Sequence, residues 1–202
     1  MAIRDILIWP NPVLATKAEA VETIDEDLRR LALDMIETMY AARGIGLAAN
    51  QVGITKRLVV IDLNSDEDEE QDPALGPHVF INPVITAREG SLLWEEGCLS
   101  VPGEVGDVER SANITLCYND LKGDEIIVEA SELMAVCIQH ELDHLNGVVF
   151  PERMHLSQRH RPSSCRPCRW WTCARRRPVR CPVRSPQRCR RPASAGRRRS
   201  SS

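Results

Sequence analysis

The stretch from Ser131 to Asn146 constrains the fold of this chain more than any other. Leu133, Val136, Cys137, Ile138, Leu142 and Leu145 recur there at helical spacing, with Ser131 placed as an N-cap and Asn146-Gly147 as the stop. The last two turns of this predicted helix carry Gln139-His140-Glu141-Leu142-Asp143-His144. Positions four apart share one helix face, so His140 and His144 can present their imidazoles to one metal ion, with Glu141 near enough to serve chemistry there. The bland alternative is a pair of surface histidines on a solvated helix, because so short a pattern arises by chance. The metal reading needs two things: a helix, which the periodicity supplies, and a further ligand.

Between the predicted strands stands Trp94-Glu95-Glu96-Gly97-Cys98-Leu99-Ser100-Val101-Pro102-Gly103. A lone cysteine is more often a small buried hydrophobe than a ligand. Set 42 residues before His140 (140 minus 98), Cys98 is nevertheless the best candidate for the third ligand. Cys117 and Cys137 are weaker, since each falls inside an apolar periodic pattern, although Cys137 can still line a nearby pocket. One thiolate and two imidazoles make three protein ligands, and a catalytic site keeps its fourth position for water or substrate, where a structural zinc site closes it. Asp143 shares part of the same helix face and is read as pairing with a cation such as Arg110.

The elements before this helix suggest an α+β domain with antiparallel sheet. Leu28, Leu31, Ala32, Met35, Ile36, Met39 and Tyr40 mark an earlier helix, with Thr23 and Glu26 as a capping box and Gly44 as a stop. Strands are expected at 57–63 and at 78–85, the second interrupted by Pro83. Residues 107–118 read as one alternating strand, followed by a turn at 119–124 and a return strand at 125–129. The small residues of Gly44-Ile45-Gly46-Leu47-Ala48-Ala49-Asn50-Gln51-Val52-Gly53 read as a tightly packed loop without a phosphate-binding glycine pattern. Its one notable side chain is the Gln51 amide, a ready hydrogen-bond donor. The acidic run 64–73 reads as a solvated surface loop, not a calcium loop.

Charge divides the chain sharply. Residues 1–152 hold all 29 Asp and Glu against 10 Lys and Arg, whereas residues 153–202 hold 16 Arg and no acid. The first residues lack the features of a signal or transit peptide, and no run of 18 apolar residues occurs. These features lead to the expectation of a soluble cytosolic protein with reduced thiols, and three cysteines in the body argue against a disulfide framework.

Three motifs in order, Gly44 to Gln51, Glu96-Gly97-Cys98-Leu99-Ser100 and Gln139 to His144, resemble those of the peptide deformylases over roughly residues 1–152. The resemblance implies an α+β fold of mixed or antiparallel sheets packed around a central metal-binding helix. It implies hydrolysis of the formyl group from the N-terminal formyl-methionine of nascent polypeptides in a bacterial-type cytoplasm, beside the ribosome, with neither membrane nor DNA as partner. Cys98, His140 and His144 would hold one ion per chain, Fe2+ in the cell, with Zn2+ or Ni2+ able to substitute. Glu141 would act as general base and then acid, and Gln51 with the Leu99 backbone N–H would face the oxyanion. Gly46 would contact the formyl end, while Ile45, Glu96, Gly97, Leu133, Val136 and Cys137 would border the methionine pocket.

The resemblance stops near residue 156. Residues 157–202 contain no Asp, Glu, Lys, Ile, Phe or Tyr, and six prolines from 162 to 192 forbid a continuous helix. The division is therefore a catalytic domain at 1–156 and a disordered Arg/Pro/Ser/Cys-rich tail at 157–202, with the composition of out-of-frame translation. Two other readings stay open here. One is an RNA-binding protein driven by the tail, which the excess acid of the body opposes; the other is a metallopeptidase, whose third ligand is usually His or Glu rather than Cys.

Overall fold

The computed structural model describes residues 2–64 and 72–154. The acidic stretch from 65 to 71 and everything after 154, including the expected disordered tail, lie outside the described residues.

Helix α1, Glu26–Ala41, begins where Asp25 turns its carboxylate onto the Leu28 backbone N–H at 2.8 Å. Asp25 therefore caps the helix in place of Thr23, because an N-cap oxygen must reach an N–H two or three residues ahead. Leu28, Leu31, Ala32, Met35 and Met39 form its buried face, and each full burial of a Leu or Met side chain contributes about 1.5–3 kcal/mol. The helix stops before Gly44. Arg43 takes the left-handed turn at φ 56°, and the Gly44 N–H returns to the Met39 carbonyl at 2.9 Å. What Gly44 supplies is room, since a Cβ there would lie 2.7 Å from Leu99 Cδ1.

Five antiparallel strands form the main sheet: β1 Gly46–Ala48, β2 Leu58–Ile61, β3 His78–Glu89, then, after β4 Leu92–Cys98 and β5 Val101–Arg110, β6 Asn113–Asn119 and β7 Glu125–Ser131. The order is β1-β2-β3-β6-β7, with β4 and β5 forming a separate two-stranded sheet. Helix α2, Glu132–Leu145, follows directly. Strand β2 explains why its sequence is a continuous apolar run. Leu58 and Val60 face the α1 cluster, Val59 and Ile61 face the α2 cluster, and no face is left for water.

The expected strand at 107–118 is in fact two strands in two sheets. Alternation continues across the junction, but the ladder does not, and the Gln139 side chain takes up the freed backbone groups. Its Oε1 accepts from the Ser111 N–H at 3.1 Å and its Nε2 donates to the Ser111 carbonyl at 3.0 Å. Pro83 produces a register shift between Ile81 and Val84 rather than an end to β3. There Asn82, at φ 52°, exchanges two side-chain hydrogen bonds with Val21. The loop at 44–53 contains β1 and a short 3-10 turn, Ala49–Val52. Ser131 is the N-cap residue of α2 as expected, although its hydroxyl makes no capping bond. Among the described residues, no helix is long and apolar enough to cross a membrane.

The N-terminal segment is tied to α1 by Asp34, which accepts from the Ala2 N–H at 2.9 Å and from Arg4 Nη2 at 3.0 Å. The Ala2 bond lowers the Asp34 carboxyl below its ordinary value of 3.8, and Arg4 adds to this against the opposing effect of burial. A depressed carboxyl stabilises the fold at pH above its unfolded value and loses that contribution as pH falls through the folded one. Asp34→Asn should therefore lower the urea midpoint at neutral pH, with a penalty that shrinks below about pH 4. Equal penalties at neutral and acid pH would contradict this account.

Candidate metal centre and active site

Helix α2 is buried on almost every side, which is expected of a helix apolar all round. It nevertheless takes Gln139, His140, Glu141, Asp143 and His144 into the interior. Buried polar groups cost free energy unless partnered, so their partners define the site.

Cys98 ends β4. A register shift between Gly97 and Cys98 re-aims the strand, pairing Gly97 with Val105 but Cys98 with Val101 across the tight turn Leu99-Ser100. The Cys98 sulfur accepts from the Ser100 N–H at 3.4 Å and lies 3.2 Å from His144 Nε2. Donor atoms of Cys98, His140 and His144 all lie within 4.8 Å of one another. The two imidazole centroids are 5.0 Å apart at 72°.

His140 Nδ1 lies 2.8 Å from Glu96 Oε2. Burial works against ionisation of Glu96, but its hydrogen bonds from Arg110 and His140 outweigh burial and hold the carboxyl down to about 2. Glu96 is thus an acceptor for the Nδ1 proton. Against burial, the bonds of His140 to Cys98 and Glu96 raise this imidazole well above its ordinary range, and a bound ion would take the place of its Nε2 proton. Phe150 stacks on the same ring, centroids 6.2 Å apart and planes at 28°. Burial, followed by the charges of His140 and Arg110, drives His144 well below the ordinary imidazole range and keeps it neutral. The donor set fits a divalent transition metal: one free thiol, two imidazoles and no bridging cysteine.

Glu141 points the other way, at Gly46. A Cβ on Gly46 would lie 2.4 Å from Glu141 Oε1 and 2.8 Å from Cys137 Sγ. Glu141 Oε2 is buried without a protein partner. Burial, only partly offset by His140, raises this carboxyl to about 7. Gln51 is fixed by its own backbone neighbourhood: its Oε1 accepts from the Ala48 N–H at 2.8 Å, which turns Nε2 toward Ser100 Oγ at 3.2 Å and Cys98 Sγ at 3.6 Å. The amide therefore offers a donor, not an acceptor, to the space beside the ligands.

Ile45, Glu96, Gly97, Leu133, Val136, Cys137, His140 and Glu141 line one cavity against the site. Burial, then the charges of Glu141 and Glu96, pushes the Cys137 thiol up and keeps it a neutral wall. The three candidate ligands, Glu141, Gln51, Gly46 and the expected pocket lining are thus brought together, while Leu99 is placed by its side chain against Gly44 and Cys117 lies away on β6 against Glu125. The expected Asp143–Arg110 pair is present, Arg110 Nη1 donating to Asp143 Oδ2 at 2.6 Å. Sequence reasoning missed Ser100 as the acceptor for Gln51, the Arg110 fork on Glu96, and Arg153, which donates to Asp143 from the last described turn. Ser100 lay inside a quoted motif and Arg110 on a predicted strand, but neither position revealed which neighbour it would meet.

Fold and site together define a metal-dependent hydrolase of α+β architecture, with three grouped candidate ligands beside a buried carboxyl. Residues 3–160 match the polypeptide deformylase family, and the chain belongs to it. A peptide deformylase of Rhizobium meliloti (strain 1021) is 53% identical over 151 residues, covering 74% of this chain and 84% of the relative. The crystal structure of a peptide deformylase from Legionella pneumophila superposes with TM-score 0.71 at 40% identity, covering 87% of this chain and 92% of that one. A peptide deformylase from Synechococcus elongatus, solved in complex with actinonin, gives TM-score 0.72 at 43% identity, covering 77% and 83%.

Gly46→Ala should fold, since β1 tolerates a methyl group in its backbone, yet displace Glu141. A fall in turnover of roughly 10-fold or more is expected, with the thermal midpoint lowered by no more than a few degrees. Wild-type turnover in this variant would refute the close approach of β1 and α2.

Proposed function

We propose that this chain carries out the reaction of its family, hydrolysis of the N-formyl group of nascent polypeptides, at the centre formed by Cys98, His140 and His144. The observation that carries the reading is the buried Glu141 carboxyl, raised to about 7 with one oxygen free, beside a fixed Gln51 donor and three grouped ligand atoms. A divalent ion held by Cys98, His140 and His144 would supply acidification of a bound water and polarisation of a carbonyl oxygen. Ferrous iron, one ion per chain, is the proposed occupant, with zinc or nickel able to replace it; thiolate and imidazole donors favour such metals over calcium or magnesium.

The methionine side chain enters the cavity walled by Ile45, Leu133, Val136 and Cys137, with Glu96 and Gly97 at its edge. This directs the formyl group toward Gly46. Glu141 takes a proton from the attacking water as the new C–O bond forms at the formyl carbon. Gln51 Nε2 and the Leu99 backbone N–H donate to the oxygen that gains negative charge. Glu141 then gives the proton to the amine as the C–N bond breaks, releasing formate and the free N-terminus. A carboxyl near 7 is matched to both halves of this task, base first and acid second. The substrate carries the proposed setting with it: a nascent chain at the ribosome, in the cytoplasm of a bacterial-type cell.

A peptidase reading shares the water-activation chemistry, but Cys98 stands where those enzymes usually use His or Glu. Formate release from a formyl-methionyl peptide tests the proposal. A chelator should abolish release, and added divalent metal should restore it. Glu141→Gln should lower kcat by about 10²–10⁴ while keeping bound metal, and Gln51→Ala by about 10²–10³. Full activity of Glu141→Gln would overturn the mechanism.

A further inference from the structure

We propose that Arg153 is a positioning residue for the metal centre, acting on His140 through Asp143, Arg110 and Glu96. The inference rests on the reading of His140 as a ligand given above.

The contacts form one uninterrupted line. His140 Nδ1 donates to Glu96 Oε2 at 2.8 Å. Arg110 grips Glu96 with two nitrogens, Nε to Oε1 at 2.6 Å and Nη2 to Oε2 at 2.9 Å. Its remaining nitrogen, Nη1, donates to Asp143 Oδ2 at 2.6 Å. Arg153 then grips Asp143 from outside, Nε to Oδ2 at 3.0 Å and Nη2 to Oδ1 at 2.7 Å. Glu96, Arg110 and Asp143 are buried, at 1%, 7% and 7% exposure, while Arg153 closes the line at the surface.

An exposed ion pair is ordinarily worth little. Arg153 differs because its acceptor is buried and its grip is two-pronged. The two carboxylates and two guanidinium groups sum to zero charge only when Arg153 is included. Without it, Asp143 Oδ1 loses its donor inside the protein, and an uncompensated buried carboxylate is expensive. The nearest cation is Arg110, which is shared between Asp143 and Glu96. Drawing Arg110 toward Asp143 loosens its fork on Glu96, and Glu96 is what fixes the proton and orientation of His140.

Arg153 is itself held by the turn Phe150–Glu152, its backbone N–H donating to the Phe150 carbonyl at 2.8 Å. On one side of that turn Phe150 stacks on His140; on the other Met154 packs so closely on Gly106 that a Cβ there would lie 2.2 Å from Met154 Cε. The catalytic unit thus includes the first arginine of the basic C-terminal segment.

The test uses the full chain loaded with cobalt(II), a spectroscopic probe of divalent sites. Arg153→Met keeps the apolar stem but removes the fork, and Arg153→Lys keeps the charge without the two-pronged grip. Arg153→Met should shift the visible cobalt absorption, speed cobalt loss to a chelator about 10-fold or more, and lower kcat by a similar factor, with KM for a formyl-methionyl peptide changing less than about twofold. Arg153→Lys should recover part of each effect. Asp34→Asn, which loosens the tie between the N-terminal segment and α1 away from this line, should lower the thermal midpoint and leave the cobalt spectrum unchanged. A wild-type spectrum and cobalt-loss rate in Arg153→Met would overturn the inference, as would an equal spectral shift in Asp34→Asn. Failure of the wild-type chain to bind cobalt or release formate would instead overturn the proposed function, and this inference with it.

Discussion

The interaction on which the structure depends is the burial of a polar helix face. Helix α2 carries Gln139, His140, Glu141, Asp143 and His144 into the interior, and each must find a partner or bear the cost of losing water. Gln139 meets the backbone where β5 gives way to β6. Asp143 and His140 share, through Arg110 and Glu96, a single line of hydrogen bonds. His144 faces Cys98. The two-stranded sheet of β4 and β5 supplies Glu96, Cys98 and Arg110, so it is the element that answers the helix. Its register shift at Cys98 is one of the local irregularities by which it does so.

The segment from Gly44 to Gln51 makes the opposite adjustment, giving up side-chain volume rather than supplying partners. Gly46 leaves space that Glu141 fills, and Gly44 leaves space that Leu99 fills. Strand β1 can therefore lie against α2, and the Gln51 amide, held in one orientation by the Ala48 N–H of its own segment, is brought up to Cys98 and Ser100. Packing and chemistry are linked at this point, because the same close approach that seals the core also aims the donor.

Much of this was legible in the sequence because it depends on local periodicity and on spacing. The extent of α2 and the placing of His140 and His144 on one of its faces follow from a single helical pattern, whereas the pocket lining came with the family resemblance. The hairpin of β6 and β7 follows from its turn residues. What was not legible depends on partners distant in sequence. Alternation through 107–118 looks the same whether the chain continues in one sheet or crosses to another, and the two bonds between Ser111 and the distant Gln139 mark the break. Thr23 and Asp25 are both acceptable caps by type, and geometry chose Asp25. Arg153 is adjacent to an arginine-rich segment and by composition belongs with it. Its role appears only when the chain turns back onto Asp143.

Glu96 and Glu141 show how the same side chain acquires two functions within one site. Both are buried, and for both burial is the largest influence and favours the neutral acid. Glu96 escapes that influence because Arg110 and His140 bond to its carboxylate, holding it at about 2. Glu141 has no such fork and retains one unpartnered oxygen, so burial prevails and its carboxyl rises to about 7. The first is therefore a permanent anion, suited to orienting an imidazole and unsuited to moving a proton. The second is held toward the protonated form by burial, which suits the base-then-acid role proposed for it. Because His140 touches Glu96 and precedes Glu141 in the chain, the anion that fixes this imidazole also limits where the second carboxyl can stand.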